Sequence, residues 1–265
     1  MYLKGTCPPS ATAYGGHALF ECMSPFCYWT FMTLAPQQPH GALRSYGRIK
    51  SRPIKARQAA LLETLAPKVA IPEGPFDPLS LKPDAREVWF EIGFGGGEHM
   101  AGQAERDPGL LIIGVEPFLN GVASALRHVE ERNLTNLRVQ QGDAREVAGR
   151  LPDGCLDRVF ILFPDPWPKS RHHKRRIIQP EFLVELHRLL KPSGALRFAT
   201  DWAEYADWTR ERVLASTLFA WPTDRADDWR VPPADHLTTR YEEKKLGDCA
   251  PVWLDFVRKP AEDTI

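Results

Sequence analysis

The chain has 265 residues, 43% hydrophobic and 26% charged, enough to bury a sizeable core in one catalytic domain with extensions. Its 34 basic and 34 acidic residues cancel, which excludes a uniformly basic nucleic-acid coat and directs attention to local patches. The five cysteines, Cys7, Cys22, Cys27, Cys155 and Cys249, contain no CxxC pair, and no histidine stands at a metal-ligand spacing from them. We therefore expect reduced thiols in a soluble cytoplasmic protein without a metal site. The longest apolar run, near Leu19 to Leu34, is broken by Glu21 and Pro25 and is too short and polar to span a bilayer. A signal-peptide pattern is also missing, so no membrane partner is expected.

Residues from Met1 to about Gln38 are rich in Cys, Pro, Gly and aromatics and follow neither a period of 2 nor one of 3.6. Residues 1–42 are expected to be a disordered or non-native extension, with the true start at Met32 or Met23. From Leu43 to Arg57 the chain carries Arg44, Arg48, Lys50, Arg52, Lys55 and Arg57 without one acidic residue. Gly47 and Pro53 rule out a single clean helix, and the run reads equally as a phosphate-binding arm or a solvated tail. A short helix over Gln58 to Leu65 and a connection rich in proline (Pro67, Pro72, Pro75, Pro78, Pro83) complete a segment at 43–84, leaving 85–260 as the catalytic domain.

Strand and helix signals then alternate. Strands are predicted at Glu87–Ile92, Leu110–Val115, Leu137–Gln141, Leu156–Phe163, Gly194–Ala199 and Val252–Val257. Helices are predicted near Glu98–Arg106, Phe118–Arg132, Ala144–Arg150, Pro180–Leu190 and Ala203–Ser216, with Lys191 and Pro192 ending the fourth of these. Continuous apolar strands such as LLIIGV and RVFILF need helices on both faces, which makes the fold α/β with a doubly wound, mainly parallel sheet. Right-handed crossovers place the carboxyl ends of the strands, and any ligand, along one edge.

At the first strand end, VWFEIGFGGGEH brings Gly93, Gly95, Gly96 and Gly97 into a turn before a helix, the way a Rossmann-like domain sets bare backbone against an adenosine-containing ligand. Glu98 stands where dinucleotide enzymes place their last glycine, and with Glu91 it would repel a pyrophosphate. A donor with a positive sulfonium and no phosphate, S-adenosyl-L-methionine, suits these acids better than NAD. Glu116, in IIGVEP, can accept both hydroxyls of an adenosine ribose. Asp143, in QQGDARE, stands where it could reach the adenine edge, although a helix N-cap explains it equally well. Taken together at successive strand ends, Glu91, Glu116, Asp143 and Asp165 exceed what caps alone require.

The fourth strand runs into FPDPWPKSRHHKRR. Pro164, Pro166 and Pro168 stiffen this loop and fix Asp165 and Trp167 where a methyl acceptor should sit. Lys169, Arg171, Lys174, Arg175 and Arg176 follow directly, with His172 and His173. A charge run is usually a solvated face, but beside this edge, and next to a tryptophan, it suits phosphates and a stacked base. Trp202, Tyr205 and Trp208, spaced by three, fit a helix face packed on the sheet better than a stacking row.

FEIGFGGGEH, GVEPF, LFPDPWPKSRHHKRR, ATDW and TTRYEEKK together resemble the bacterial tRNA (guanine-N7-)-methyltransferase family over about Arg44 to Val257. The resemblance implies a Rossmann-like class I S-adenosylmethionine-dependent methyltransferase with an antiparallel final strand, acting on N7 of the guanine at position 46 in the variable loop of tRNA. It implies that Glu91, Gly93, Gly95, Glu116, Asp143 and Asp165 bind the donor, with Asp165 also the catalytic position. It implies further that Lys169, Asp201, Thr239, Arg240, Tyr241 and Glu242 bind substrate, and that Arg171, Lys174, Arg175 and Arg176 contact RNA. From position alone Asp201 is equally an N-cap, and polar residues such as Thr239 to Glu242 between apolar segments are often only connection, so their role rests on the resemblance.

Attack by guanine N7 needs no prior proton removal, so Asp165 is assigned to holding guanine and balancing the positive charge that develops on the ring. The competing readings are a methyltransferase with another acceptor and a non-enzymatic RNA-binding module on the same fold. A dehydrogenase is disfavoured by Glu98. Whether the protein is a monomer or a homodimer is left open by the sequence.

Overall fold

The computed structural model describes residues 53–225 and 227–260. The extension at 1–42, a start at Met32 or Met23, and the arm cations Arg44, Arg48, Lys50 and Arg52 lie outside the described residues.

Seven strands form one sheet: β1 (Glu87–Ile92), β2 (Leu110–Glu116), β3 (Leu137–Gln141), β4 (Leu156–Leu162), β5 (Leu190–Thr200), β6 (Phe219–Ala220) and β7 (Val252–Arg258). Their order is β3-β2-β1-β4-β5-β7-β6. The first five pair in parallel, while β7 runs antiparallel to both β5 and β6. The chain crosses from one side of β1 to the other between β3 and β4, so the carboxyl ends of β1, β2 and β4 border one crevice.

Alternation along the strands explains the layers. Val88, Phe90 and Ile92 of β1 and Leu111, Ile113 and Val115 of β2 share one core with helices α4 (Ala144–Ala148), α5 (Pro180–Leu189) and α6 (Ala203–Ala215). Trp89 of β1 and Ile112 of β2 face the opposite way, into a second core with α1 (Ala56–Thr64), α2 (Glu98–Arg106) and α3 (Leu119–Arg132). Both faces are thus covered, as the unbroken apolar strands required. The segment before β1 joins the second core through buried Leu61 and Val69, and the carbonyl of Val69 accepts the N–H of Val139 at 2.9 Å.

The start of β5 and the presence of β6 differ from expectation. Lys191 and Pro192 do not end a helix; they lie inside β5, which begins at Leu190 opposite Leu156 and bulges before regaining register at Ala195 opposite Arg158. Ser193, at φ 63, turns the chain within that bulge, and Lys191 Nζ reaches Asp157 at 2.7 Å. The two-residue β6 carries too little alternation to be read from sequence. Trp202, Tyr205 and Trp208 do form a packed helix face, with Tyr205 fully buried.

Candidate active site

A cleft of about 1380 Å³ opens along the carboxyl edge of β1, β2 and β4. Its floor is the glycine loop. Gly93, Gly95 and Gly97 have φ of 71°, 56° and 78°, a region that L side chains enter at a cost, and Gly97 caps α2. A Cβ at Gly93 or Gly95 would meet no protein atom within 4 Å, so these two leave bare backbone facing open space. Behind the loop, Gly121 at the start of α3 allows a close approach: its Cβ would lie 2.3 Å from the carbonyl oxygen of Gly95. Sequence reasoning missed Gly121, because only the folded contact between α3 and the loop gives it a purpose.

The four strand-end acids converge on this cleft, each in a different setting of partners and burial. Glu116 is buried, one carboxylate oxygen accepting the N–H of Gly95 at 2.8 Å and the other that of Phe118 at 2.9 Å. Burial pushes its carboxyl up to about 7 despite these two bonds, and the nearby charges of Asp165 and Glu91 add to the rise. Glu91, also buried, accepts from His99 Nδ1 at 2.6 Å. Asp143 is the N-cap of α4, accepting from the backbone N–H of Arg145 at 2.9 Å and from its guanidinium at 2.9 and 2.6 Å. Burial opposes its ionisation, but Arg145 outweighs burial and holds the carboxyl below the usual range. Cap and cleft wall are therefore both true of Asp143. Glu98 is ion-paired with Arg240 at 2.5 Å, so its charge is balanced and bears less on pyrophosphate exclusion than the isolated residue implied.

Asp165 is exposed at the cleft, in a loop held by backbone strain. Phe163 (φ 50) and Trp167 (φ 43) bracket Pro164-Asp165-Pro166 in the left-handed region, at a cost of about 1 kcal/mol or more each. Interactions behind the loop sustain that geometry. The N–H of Phe163 donates to the carbonyl of Ala199 at 2.8 Å, and Arg176 Nε donates to the carbonyl of Pro166 at 2.8 Å. Arg176 is turned inward rather than toward a polyanion: its side chain is 1% exposed, pairs with Glu204, and stacks on Tyr205 and Trp208. Lys169, Arg171 and Lys174 are exposed on the loop and the 3-10 turn Ser170–Arg175, while Arg175 lines the cleft with its guanidinium 4.8 Å above the Trp167 ring.

Opposite this loop, Thr239, Arg240, Tyr241 and Lys244 form the far wall. Thr239 and Glu242 close a capping box on the short helix α8 (Arg240–Glu243), and the α7 helix (Asp227–Arg230) precedes it in the chain. Tyr241 packs its ring 5.5 Å from that of Phe163 and directs its hydroxyl at buried Asp201, 3.4 Å away. Asp201 is not the cap of α6; that position is Trp202, and the N–H of Ala203 donates instead to Asp248. Lys169, Asp201 and Glu242 stand outside the cleft wall, so the structure brings Glu91, Glu116, Asp143, Asp165, Arg175 and Thr239 to Tyr241 together and leaves those three beside it.

Residues 85–253 match the profile of a family described as putative methyltransferase. The fold agrees with that of a 16S rRNA (adenine(1408)-N(1))-methyltransferase from Catenulisporales acidiphilia, at a TM-score of 0.51 and 19% identity over 72% of this chain and 95% of that one. Sheet order, glycine loop and edge cleft thus define a Rossmann-like class I methyltransferase. The tRNA (guanine-N(7)-)-methyltransferase of Caulobacter vibrioides (strain NA1000 / CB15N) is 68% identical over 223 residues, which is 84% of this chain and 98% of the relative. Its counterparts in Hyphomonas neptunium and Rhodospirillum rubrum are 51% identical (81% of this chain, 99% of the relative) and 44% identical (85% and 91%). The chain belongs to the tRNA (guanine-N(7)-)-methyltransferase family.

Proposed function

We propose that this protein transfers a methyl group from S-adenosyl-L-methionine to N7 of the guanine at position 46 in the variable loop of tRNA, acting in the cytoplasm. The observation that carries the reading is one cleft bounded on one side by the glycine loop with Glu116 and on the other by the strained loop of Asp165. The names of the relatives support tRNA and guanine N7. In this reading residues 85–260 are the methyltransferase domain and 43–84 the arm, helix and linker that precede it.

The residues present fit the donor: Gly93 and Gly95 offer open backbone, and Glu116 offers carboxylate lone pairs beyond its two backbone bonds. Glu116 would take the ribose hydroxyls, Glu91 and Asp143 the remaining polar ends, and Gly93 and Gly95 the close approach. The bound donor supplies an electrophilic methyl group on a sulfonium. Asp165 holds the guanine by accepting from its N1 and N2 hydrogens and balances the charge that grows on the ring; no base is needed, because N7 is already unprotonated. Alignment is the main contribution, worth up to ~7 to 11 kcal/mol when reactants are well oriented. Thr239, Arg240, Tyr241, Lys169, Asp201 and Glu242 shape the acceptor side, and Arg171, Lys174 and Arg175 meet phosphates.

The test is transfer of label from radioactive S-adenosylmethionine to unmodified tRNA by the purified protein. Label in tRNA as N7-methylguanosine is expected. Label only in small molecules, or tight tRNA binding without transfer, contradicts the proposal.

A further inference from the structure

The acceptor wall is fastened to the donor side by a chain of polar contacts whose middle members, His99, Gln103 and Asp235, lie outside the residues assigned above. It begins at Glu91, whose carboxylate meets His99 Nδ1 at 2.6 Å. His99 is 2% exposed, and its ring lies 4.9 Å from that of Phe160. One helical turn on, Gln103 Nε2 stands 3.2 Å from His99 Nε2 and 2.6 Å from the carbonyl oxygen of Asp235. A carbonyl only accepts, so the Gln103 atom facing it is the amide nitrogen, whose second hydrogen points at His99 Nε2. That makes Nε2 the acceptor and leaves the ring proton on Nδ1, directed at Glu91.

Asp235 is itself fixed. Its carboxylate accepts from Arg158 at 2.8 Å and from Arg197 at 2.6 Å. The next residue, His236, pairs with Glu242 at 2.8 Å, and Glu242 closes the capping box that orients Thr239, Arg240 and Tyr241. Leu237 also fills the space left by Gly102, where a Cβ would lie 2.5 Å from its Cδ1. This accounts for a glycine inside α2, a placement that otherwise costs about 1 kcal/mol. The acceptor segment thus rests on the helix that begins at the donor loop.

Building on the site assignment above, we propose that His99 and Gln103 are positioning residues with separate duties: His99 presents an N–H that fixes the carboxylate of Glu91 for the donor, and Gln103 anchors the acceptor segment through Asp235. The test uses the full chain with three variants, His99→Asn, His99→Gln and Gln103→Leu, with folding checked by circular dichroism. Donor dissociation constants come from calorimetry and the tRNA KM from methyl transfer. Asparagine places an amide N–H near the position of Nδ1, so His99→Asn should keep donor affinity within about threefold, whereas His99→Gln should lose about tenfold. Gln103→Leu should raise the tRNA KM about tenfold with donor affinity within about threefold.

Loss of donor affinity in His99→Asn equal to that in His99→Gln, or an unchanged tRNA KM in folded Gln103→Leu, would overturn the proposal. Should His99→Gln not fold, retention in His99→Asn and the KM of Gln103→Leu still decide. A wild-type protein that neither binds the donor nor methylates tRNA would overturn the underlying site assignment as well.

Discussion

At Glu116, burial beside Asp165 and Glu91 pushes the carboxyl up to about 7, and a proton on it takes up one of the lone pairs that its two backbone bonds leave for a pair of ribose hydroxyls. Donor affinity, measured by calorimetry, should therefore rise roughly tenfold between about pH 6 and about pH 8, and Glu116→Gln should flatten that slope. A flat wild-type profile would contradict the role. The stability sign is separate. Because the folded carboxyl binds its proton more tightly than the unfolded one, the contribution of Glu116 is fully present below the unfolded value of 4.5 and lost as pH rises through about 7. For Asp165, replacement by Asn should lower kcat about 10²-fold or more while donor affinity stays within about threefold; full turnover would refute its assignment. Glu91, Glu116 and Asp165 were legible because each lies at or just past the end of a strand whose apolar run is plain in the sequence. The partners of the cleft acids were not, since His99, Arg145 and Arg240 become partners only through folding.

The loop after β4 shows how an element divides a charge run that looks uniform on paper. Arg176 supports the loop from inside through the Pro166 carbonyl, whereas Arg171 and Lys174 project outward. Arg176→Ala should cost about 2 kcal/mol in urea unfolding, from lost packing and hydrogen bonds. Arg171→Ala with Lys174→Ala should leave unfolding unchanged but raise the tRNA KM and reduce its salt dependence. The reverse pattern would contradict this division. In the glycine loop, Gly121→Ala would drive a methyl group into the Gly95 carbonyl, so a loss of about 1 to 3 kcal/mol together with weaker donor binding is expected. Unchanged unfolding and binding would show that the loop shifts freely. Long periodic elements were readable to within a residue or two, as with β1 and α2, both of which match the predicted bounds. The bulged start of β5 and two-residue β6 were not, because register against β4 and pairing with β7 define them rather than local pattern, and α8, despite its capping box, is only one turn long.

For the molecule as a whole, sheet topology does the convergent placement: strands far apart in sequence deliver Glu91, Glu116 and Asp165 to one edge, and the antiparallel β7 follows the segment that closes the far wall. The crossover rule made that edge foreseeable from the order of strands and helices. The anchoring of the far wall through Asp235 and Leu237 was hidden, since nothing local marks either residue as a contact of α2. If the cleft joins the two substrates as proposed, the chain should modify one base only. The most direct measurement is to methylate an unmodified tRNA transcript, cleave it chemically at N7-methylguanosine and map the break, beside a transcript with adenine at position 46. A single break at position 46, absent from the substituted transcript, is the expected result; breaks elsewhere, or equal methylation of the substituted transcript, would contradict the account.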